Sequence, residues 1–366
     1  MNSQTDQYQV QLAEKVKQFT ESLLSIGTDN SVIKKINIFA SKEKNYRMRS
    51  EFRIWHDGDD IYYAMNKPGT KEIYTLNDFP TASLQINAAM PKLLEYIRDN
   101  EMLRRRLFQV EFLSSLKGQL LITLIYHKPL NDDWDIEAKK LEKHLDAFII
   151  GRARKQKRVL KQDYIFESFN VHGTQYTYQQ VENSFTQPNA EVCVDMLEWA
   201  VNQIKKTDHS KKDLLELYCG NGNFTLPLAK YFRHVLATEV SKKSVKSALY
   251  NSGINNITNL SIARLSSEEV VQALDKVRPF RRLNEIDLDS YDFSTLFLDP
   301  PRAGLDEHTL KLANRFENIV YISCNPKTLI SNIKSLQQHS ISTVAAFDQF
   351  PFTPHLEVGV ILKKSY

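Results

Sequence analysis

The stretch Asp213-Leu214-Leu215-Glu216-Leu217-Tyr218-Cys219-Gly220-Asn221-Gly222-Asn223-Phe224 constrains the fold more than any other part of the chain. An apolar run gives way to two glycines two positions apart, and a helical pattern follows over Phe224–Tyr231. The chain has only 11 glycines in 366 residues, so a pair at a strand-to-helix junction is informative. Such a junction lets the backbone approach a ligand and aims a helix N-terminus at it. An ordinary tight turn is the plainer alternative. The alternation then continues, with a strand at His234–Thr238, a helix at Ser241–Asn251 and strands at Thr295–Leu298 and Asn318–Ser323 with a helix between them. Thr343–Phe347 and Glu357–Leu362 close the chain. This order predicts an α/β domain, Rossmann-like and doubly wound around a mostly parallel sheet with right-handed crossovers.

Upstream the order differs. Gln9–Leu24 carries Leu12, Val16, Phe19 and Leu23 at helical spacing. Tyr46–His56 and Asp60–Asn66 flank Asp57-Gly58-Asp59, a turn between the strands of a hairpin. Ala82–Arg98 and Asp133–Phe148 read as helices, Leu107–Leu116 and Gln119–His127 as strands, and Ile149–Val159 as a strand or ribbon. Hairpins in place of crossovers predict an α+β region whose sheet is free on one face. Composition shifts after Asn183, and a helix over Pro188–Gln203 leads into the alternating part. Two domains are expected, 1–183 and 184–366.

Three cysteines, Cys193, Cys219 and Cys324, cannot build a disulfide framework or a four-cysteine zinc or iron–sulfur site. Unpaired thiols suit a reducing compartment. The chain opens on no basic and apolar leader, and no apolar run approaches the ~20 residues of a membrane span, which predicts a cytoplasmic protein with no membrane partner. The net charge of +4 argues for no partner by itself, but its distribution is uneven. Arg152, Arg154, Lys155, Lys157, Arg158 and Lys161 put six cations into ten residues with no acid among them. Lys42, Lys44, Arg47, Arg49 and Arg53 interleave with Tyr46, Phe52 and Trp55, and Arg104-Arg105-Arg106 precedes Phe108. Cations beside aromatic faces suit nucleic acid; a solvated face is the plainer account of any one run, and the three runs together bring the two readings level.

Glu239 ends the strand after the glycine turn, where an acidic side chain accepts hydrogen bonds from ribose hydroxyls. Thr225 stands where a dinucleotide fingerprint has its third glycine, so the pattern fits S-adenosyl-L-methionine, which has a ribose and no pyrophosphate. Leu298-Asp299-Pro300-Pro301-Arg302 closes another strand, and consecutive prolines hold Asp299 on a stiff turn toward the crevice. Tyr321-Ile322-Ser323-Cys324-Asn325-Pro326 closes a third. A thiol on that edge suits methylation of a pyrimidine. Uracil C5 is a poor nucleophile until a thiolate adds at C6 and turns the ring into an enolate. The C5 proton must leave afterwards, so the scheme needs a general base. Asp348, His355 and Glu357 are candidates, and spacing does not choose among them. A pKa lowered from the ordinary thiol value is expected for Cys324.

Several of these stretches match one family together: residues 216–224, Asp-Pro-Pro-Arg at 299–302, Ser-Cys-Asn-Pro at 323–326 and Phe-Pro-x-Thr-x-His-x-Glu ending at 357. With Gln-Val-Glu-Asn-Ser-Phe-Thr-Gln-Pro-Asn at 180–189, they resemble the RNA 5-methyluridine methyltransferases. The likeness runs from Tyr46-Arg47-Met48-Arg49 to the end, and is strongest to the bacterial branch acting on uridine 54 of the tRNA T-loop. It implies a class I S-adenosylmethionine-dependent methyltransferase domain with an N-terminal α+β RNA-binding region, and no metal. It further implies Cys324 as nucleophile, Glu357 as base, and cofactor contacts from Gln187, Tyr218, Asn223, Glu239 and Asp299. Phe108 resembles a position that touches the RNA loop, and Arg49, Arg152 and Arg154 then become part of the RNA surface. Ribosomal-RNA relatives carry an N-terminal barrel and a four-cysteine iron–sulfur cluster. No cysteine precedes Cys193 here, which favours the tRNA branch. The implied partner is the tRNA T-arm, with other T-like loops open as substrates and no obligate protein partner. The alternatives are a tRNA folding factor with methylation secondary, or an amino-group methyltransferase that needs no cysteine.

Overall fold

The computed structural model describes residues 4–67 and 69–365. The chain divides into two units. One joins the residues through Ser41, Phe169–Tyr178 and the chain from Glu191 onward, and the other holds Lys42–Ser168 and Gln179–Ala190. A single cut at 183/184 is therefore not how the chain is partitioned, because the N-terminal residues belong with the C-terminal half. Tyr8, Leu12, Val16, Phe19 and Leu23 form one stripe of the helix Gln4–Leu24 and share a core with Leu215, Leu296, Leu298 and Tyr321. Asn37–Phe39 then pairs in parallel with His339–Phe347. Helical spacing reveals an apolar stripe but not which sheet will cover it.

The sheet of this unit has eight strands. Their order is Asn37–Phe39, His339–Phe347, Glu357–Lys364, Asn318–Ser323, Phe293–Leu298, Asp213–Leu217, Val235–Thr238, Leu260–Ala263. These inner strands are buried along nearly their whole length, which is why they read as apolar runs rather than alternating ones. The sheet is doubly wound and mostly parallel, as the alternating pattern predicts, and only Glu357–Lys364 runs antiparallel to its neighbours. From Asp213–Leu217 the chain builds two strands to one side, then returns to lay Phe293–Leu298 on the other. At such a reversal a crevice opens beyond the strand C-termini.

The second unit carries a seven-stranded sheet, in the order Ile73–Leu76, Asp60–Asn66, Arg49–Asp57, Leu107–Ser114, Leu120–Tyr126, Phe148–Ala153, Gln156–Val159. Helices Leu84–Arg98 and Asp132–Leu145 share a core with Phe52, Tyr63, Val110 and Ile122. Five neighbours pair as antiparallel strands, but Leu120–Tyr126 and Phe148–Ala153 are parallel, joined through the helix Asp132–Leu145. Hairpins alone do not describe this unit. Gly151 permits the crossover to close, since a Cβ there would lie 2.5 Å from the Trp134 ring. The strands Tyr164–Val171 and Thr174–Val181 form a separate two-stranded hairpin whose tip, Phe169–Tyr178, belongs to the first unit. Its signal was His172-Gly173, both at positive φ in the turn. Among the described residues no helix is long and apolar enough to cross a membrane.

Candidate active site

Three strand ends and one strand start meet at the reversal. Register pairs Leu217 with Leu298 and Leu298 with Tyr321, so Tyr218, Asp299 and Cys324 all lie just beyond the same sheet edge. Glu357 reaches this edge from the opposite direction. Ser323 pairs with Val358 in the antiparallel ladder, so the next step sets Cys324 against Glu357. Residues 33 apart in sequence thus become neighbours through pairing alone.

The glycine turn is held in a conformation that side chains avoid. Tyr218, Gly220 and Gly222 have φ of 63°, 56° and 86°. Glu239 accepts hydrogen bonds from the Gly220 and Ser241 N–H groups at 3.1 and 2.7 Å. A carboxylate has about four lone-pair sites, so acceptor capacity remains for ribose hydroxyls. The Asn223 carbonyl accepts from the Tyr178 hydroxyl at 3.0 Å, and its side chain contacts the Cys193 sulfur at 3.4 Å. Asn251 donates to the Asn221 carbonyl at 2.9 Å. The Tyr218 hydroxyl lies 3.5 Å from that of Thr309. Backbone freedom at the glycines, an acid with spare acceptor sites and no third glycine fit S-adenosyl-L-methionine. Gln187 lies in the other unit, half-buried before the helix Ala190–Ile204.

The electrostatics of the edge are dominated by carboxyls. Burial, then repulsion from Asp299, raises Glu357 well above the ordinary range. Burial also pushes Asp299 up to about 7. Glu216 stands one strand over, 1% exposed, and burial pushes it up to about 8, with Asp299 adding to the rise and Thr225 offsetting part of it. One Glu216 carboxyl oxygen has no hydrogen-bond partner. The Cys324 thiol is also raised, to about 11, by burial and then by Glu357 and Asp299, while Arg302 pulls it down. The expected lowering is therefore reversed. One cation near the thiol is outweighed by two carboxyls and a half-buried setting. Arg302, absent from the sequence-derived site, donates to His355 Nδ1 at 3.5 Å, and its carbonyl accepts from the Asn325 side chain at 3.2 Å.

The remaining sequence candidates separate. Cys193 and Cys219 are buried. Asp348 is fully buried in an ion pair with Lys15, and His355 is exposed beside Arg302. The basic run is not a free cationic face. Arg152 donates twice to Glu182, at 2.5 and 2.6 Å, Lys157 pairs with Asp163 and Glu182, and Arg158 with Asp132 and Asp135. Arg49 is half-buried near Glu111, Glu182 and Glu51. Arg154 is exposed, and Phe108 stacks on His127 with ring centroids 4.2 Å apart.

A doubly wound sheet whose reversal carries a ribose-side acid, without a pyrophosphate fingerprint, marks the class of S-adenosylmethionine-dependent methyltransferases. Within that class the match is specific. Residues 7–365 fit the family described as tRNA (Uracil-5-)-methyltransferase, and the chain belongs to this family. It is 55% identical over 358 residues to a tRNA/tmRNA (uracil-C(5))-methyltransferase from Cellvibrio japonicus, covering 98% of this chain and 96% of that protein. The homologue of the same description from Teredinibacter turnerae is 52% identical over 364 residues, covering 98% of each. In fold the chain is similar to the Pyrococcus abyssi tRNA (uracil-54, C5)-methyltransferase, crystallised with S-adenosyl-L-homocysteine. The TM-score is 0.72 at 20% identity, covering 97% of this chain and 83% of that one.

Proposed function

We propose that this enzyme methylates C5 of uridine 54 in the tRNA T-loop, through a covalent bond between Cys324 and uracil C6 that Glu357 helps to resolve. The observation that carries this reading is that Cys324 and Glu357 each lie one step beyond the last ladder pair, Ser323 with Val358, on the edge that also bears the glycine turn and Asp299. The relatives described as acting on tRNA and tmRNA support an RNA substrate, and a tmRNA or another T-like loop is the natural second one. Such RNA is cytoplasmic, and we assign the enzyme there.

S-adenosyl-L-methionine would be held by Tyr218, Asn223, Glu239 and Asp299, and supplies an electrophilic methyl group when bound. The protein does the rest. To expose C6 the uridine leaves the loop stack, at a cost of a few kcal/mol. Phe108, Arg49 and Arg154 offer a stacking face and cations to the loop, with Arg152 bracing that surface through Glu182. The Cys324 thiol gives up its proton to solvent as the S–C6 bond forms, and the C5=C6 electrons move toward O4 to leave an enolate. Burial keeps this proton on sulfur at rest, which protects the nucleophile until the substrate arrives. Once C5 is methylated, Glu357 in its carboxylate form takes the C5 proton, the double bond re-forms and the thiolate leaves; burial makes that carboxylate a stronger base than an exposed one. Asp348, spent on Lys15, and exposed His355 suit this base role less.

Cys324→Ala should abolish methylation while T-arm RNA still binds. Glu357→Gln should leave protein covalently attached to RNA on a denaturing gel. Continued turnover without that adduct would move the base elsewhere, and methylation by Cys324→Ala would overturn the mechanism.

A further inference from the structure

The helix Gln4–Leu24 does more than cover the sheet. Its Lys15, 6% exposed at the side chain, pairs with fully buried Asp348 at 2.9 Å and donates to the Phe350 carbonyl at 3.1 Å. One turn earlier, Gln11 accepts from the Phe352 N–H at 2.7 Å and donates to the Thr353 carbonyl at 3.4 Å. Tyr8, a further three residues back, sets its ring 5.5 Å from that of Phe352, and its hydroxyl accepts from the Ser41 N–H at 2.8 Å. All five contacts from Lys15, Gln11 and the Tyr8 ring fall on residues 348–353. This segment runs from the strand His339–Phe347 into Glu357, and its far end carries His355 against Arg302.

The segment needs restraint. Phe352 is bulky, 39% exposed, and sits at φ 60°, a conformation that a non-glycine residue adopts only when surroundings over-determine it. The Gln11 contact is made at that same residue. Lys15 is moreover an expensive choice for stability alone, since a buried ion pair is often matched or bettered by apolar residues. Its geometric value is direction: one ammonium bridges a side chain and a carbonyl two residues apart.

We propose that Lys15 and Gln11 are positioning residues for the base. They tether the segment 348–356 from the N-terminal helix so that Glu357 enters its strand facing Cys324. The proposal rests on the reading of Glu357 as base, and the two fail differently.

The test uses the full-length enzyme with T-arm RNA. Lys15→Met is expected to lower kcat at least tenfold, with KM for RNA within twofold and more covalent adduct on a denaturing gel. Lys15→Arg should recover most of the rate. Gln11→Leu should show the same pattern at a few-fold, and it carries the test if Lys15→Met does not fold. In the Glu357→Gln background, Lys15→Met should leave the rate of adduct formation within twofold, because the step it assists is already blocked. A folded Lys15→Met with a lower melting temperature and unchanged kcat would overturn the positioning role, as would a change confined to KM. Free turnover of Glu357→Gln without adduct would instead overturn the base reading on which the role depends.

Discussion

Two groups of buried charge in this molecule obey opposite rules. In the seven-stranded unit, Glu182 is 2% exposed yet answered by Arg152 and Lys157. Burial pushes it up, but those cations more than offset the burial and hold it below the ordinary carboxylate range. At the edge of the eight-stranded sheet, Glu216, Asp299 and Glu357 meet burial and one another, and all three are raised. The first group is framework: two cations match Glu182 and keep it ionised near neutrality. The second has no cation to match it, so burial and mutual repulsion raise its acids, the kind of shift that the proposed chemistry would use. A run of cations in a sequence and a set of scattered acids thus exchange their apparent importance once folded.

The comparison is most directly broken by removing one cation. Arg152→Met should destabilise the seven-stranded unit by about 2–3 kcal/mol, because Glu182 is left buried without its bidentate partner. Denaturant melts check this, and a loss under about 0.5 kcal/mol would place the pair among ordinary surface ion pairs.

Next come opposite pH dependences. Glu182 has a folded pKa below its unfolded one, so its contribution is present at neutrality and fades as pH falls through the folded value. Glu216 has a folded value of about 8 against an ordinary 4.5, so its contribution is full in acid and fades as pH rises through that window. Glu216→Gln should therefore melt at a higher temperature than the parent at pH 9, with the gap closing toward pH 5. An equal gap at both values would mean that Glu216 is not protonated in the folded state.

A smaller effect sharpens the picture at the nucleophile. Iodoacetamide should alkylate Cys324 slowly at pH 7.5, at a rate rising about tenfold per pH unit to near pH 11. A plateau by pH 8 would show a thiol activated in the free enzyme. The smallest effect concerns Arg154, exposed in the basic run. Arg154→Ala should leave the melting temperature unchanged, weaken T-arm binding a few-fold, and flatten its log–log salt slope by about one.

Most of the strands and helices near the chemistry were readable, because an apolar run ending in Gly-x-Gly, Asp-Pro-Pro or Ser-Cys-Asn-Pro is a local event. The strand Asn318–Ser323 falls where the apolar run alone puts it. Missed features were those made by distant partners. The crossover beneath Gly151 depends on Trp134 leaving space, and the sharing of the core by Tyr8–Leu23 depends on a sheet built some two hundred residues later. The direction of the Cys324 shift was misjudged for the same reason. Its sign is set first by burial and then by Glu357 and Asp299, none of which a window around the cysteine contains.

By itself, then, the chain's sequence determined a doubly wound cofactor domain, the motifs gathered at its strand ends, and the family to which they belong. Local spacing suffices for these, since backbone conformation and motif chemistry are short-range. Only the tertiary structure decided which cations are matched, which acids burial raises and which helix contacts the segment before Glu357. Those outcomes depend on distance and burial, and both are set by strand register and sheet order rather than by neighbours in the chain.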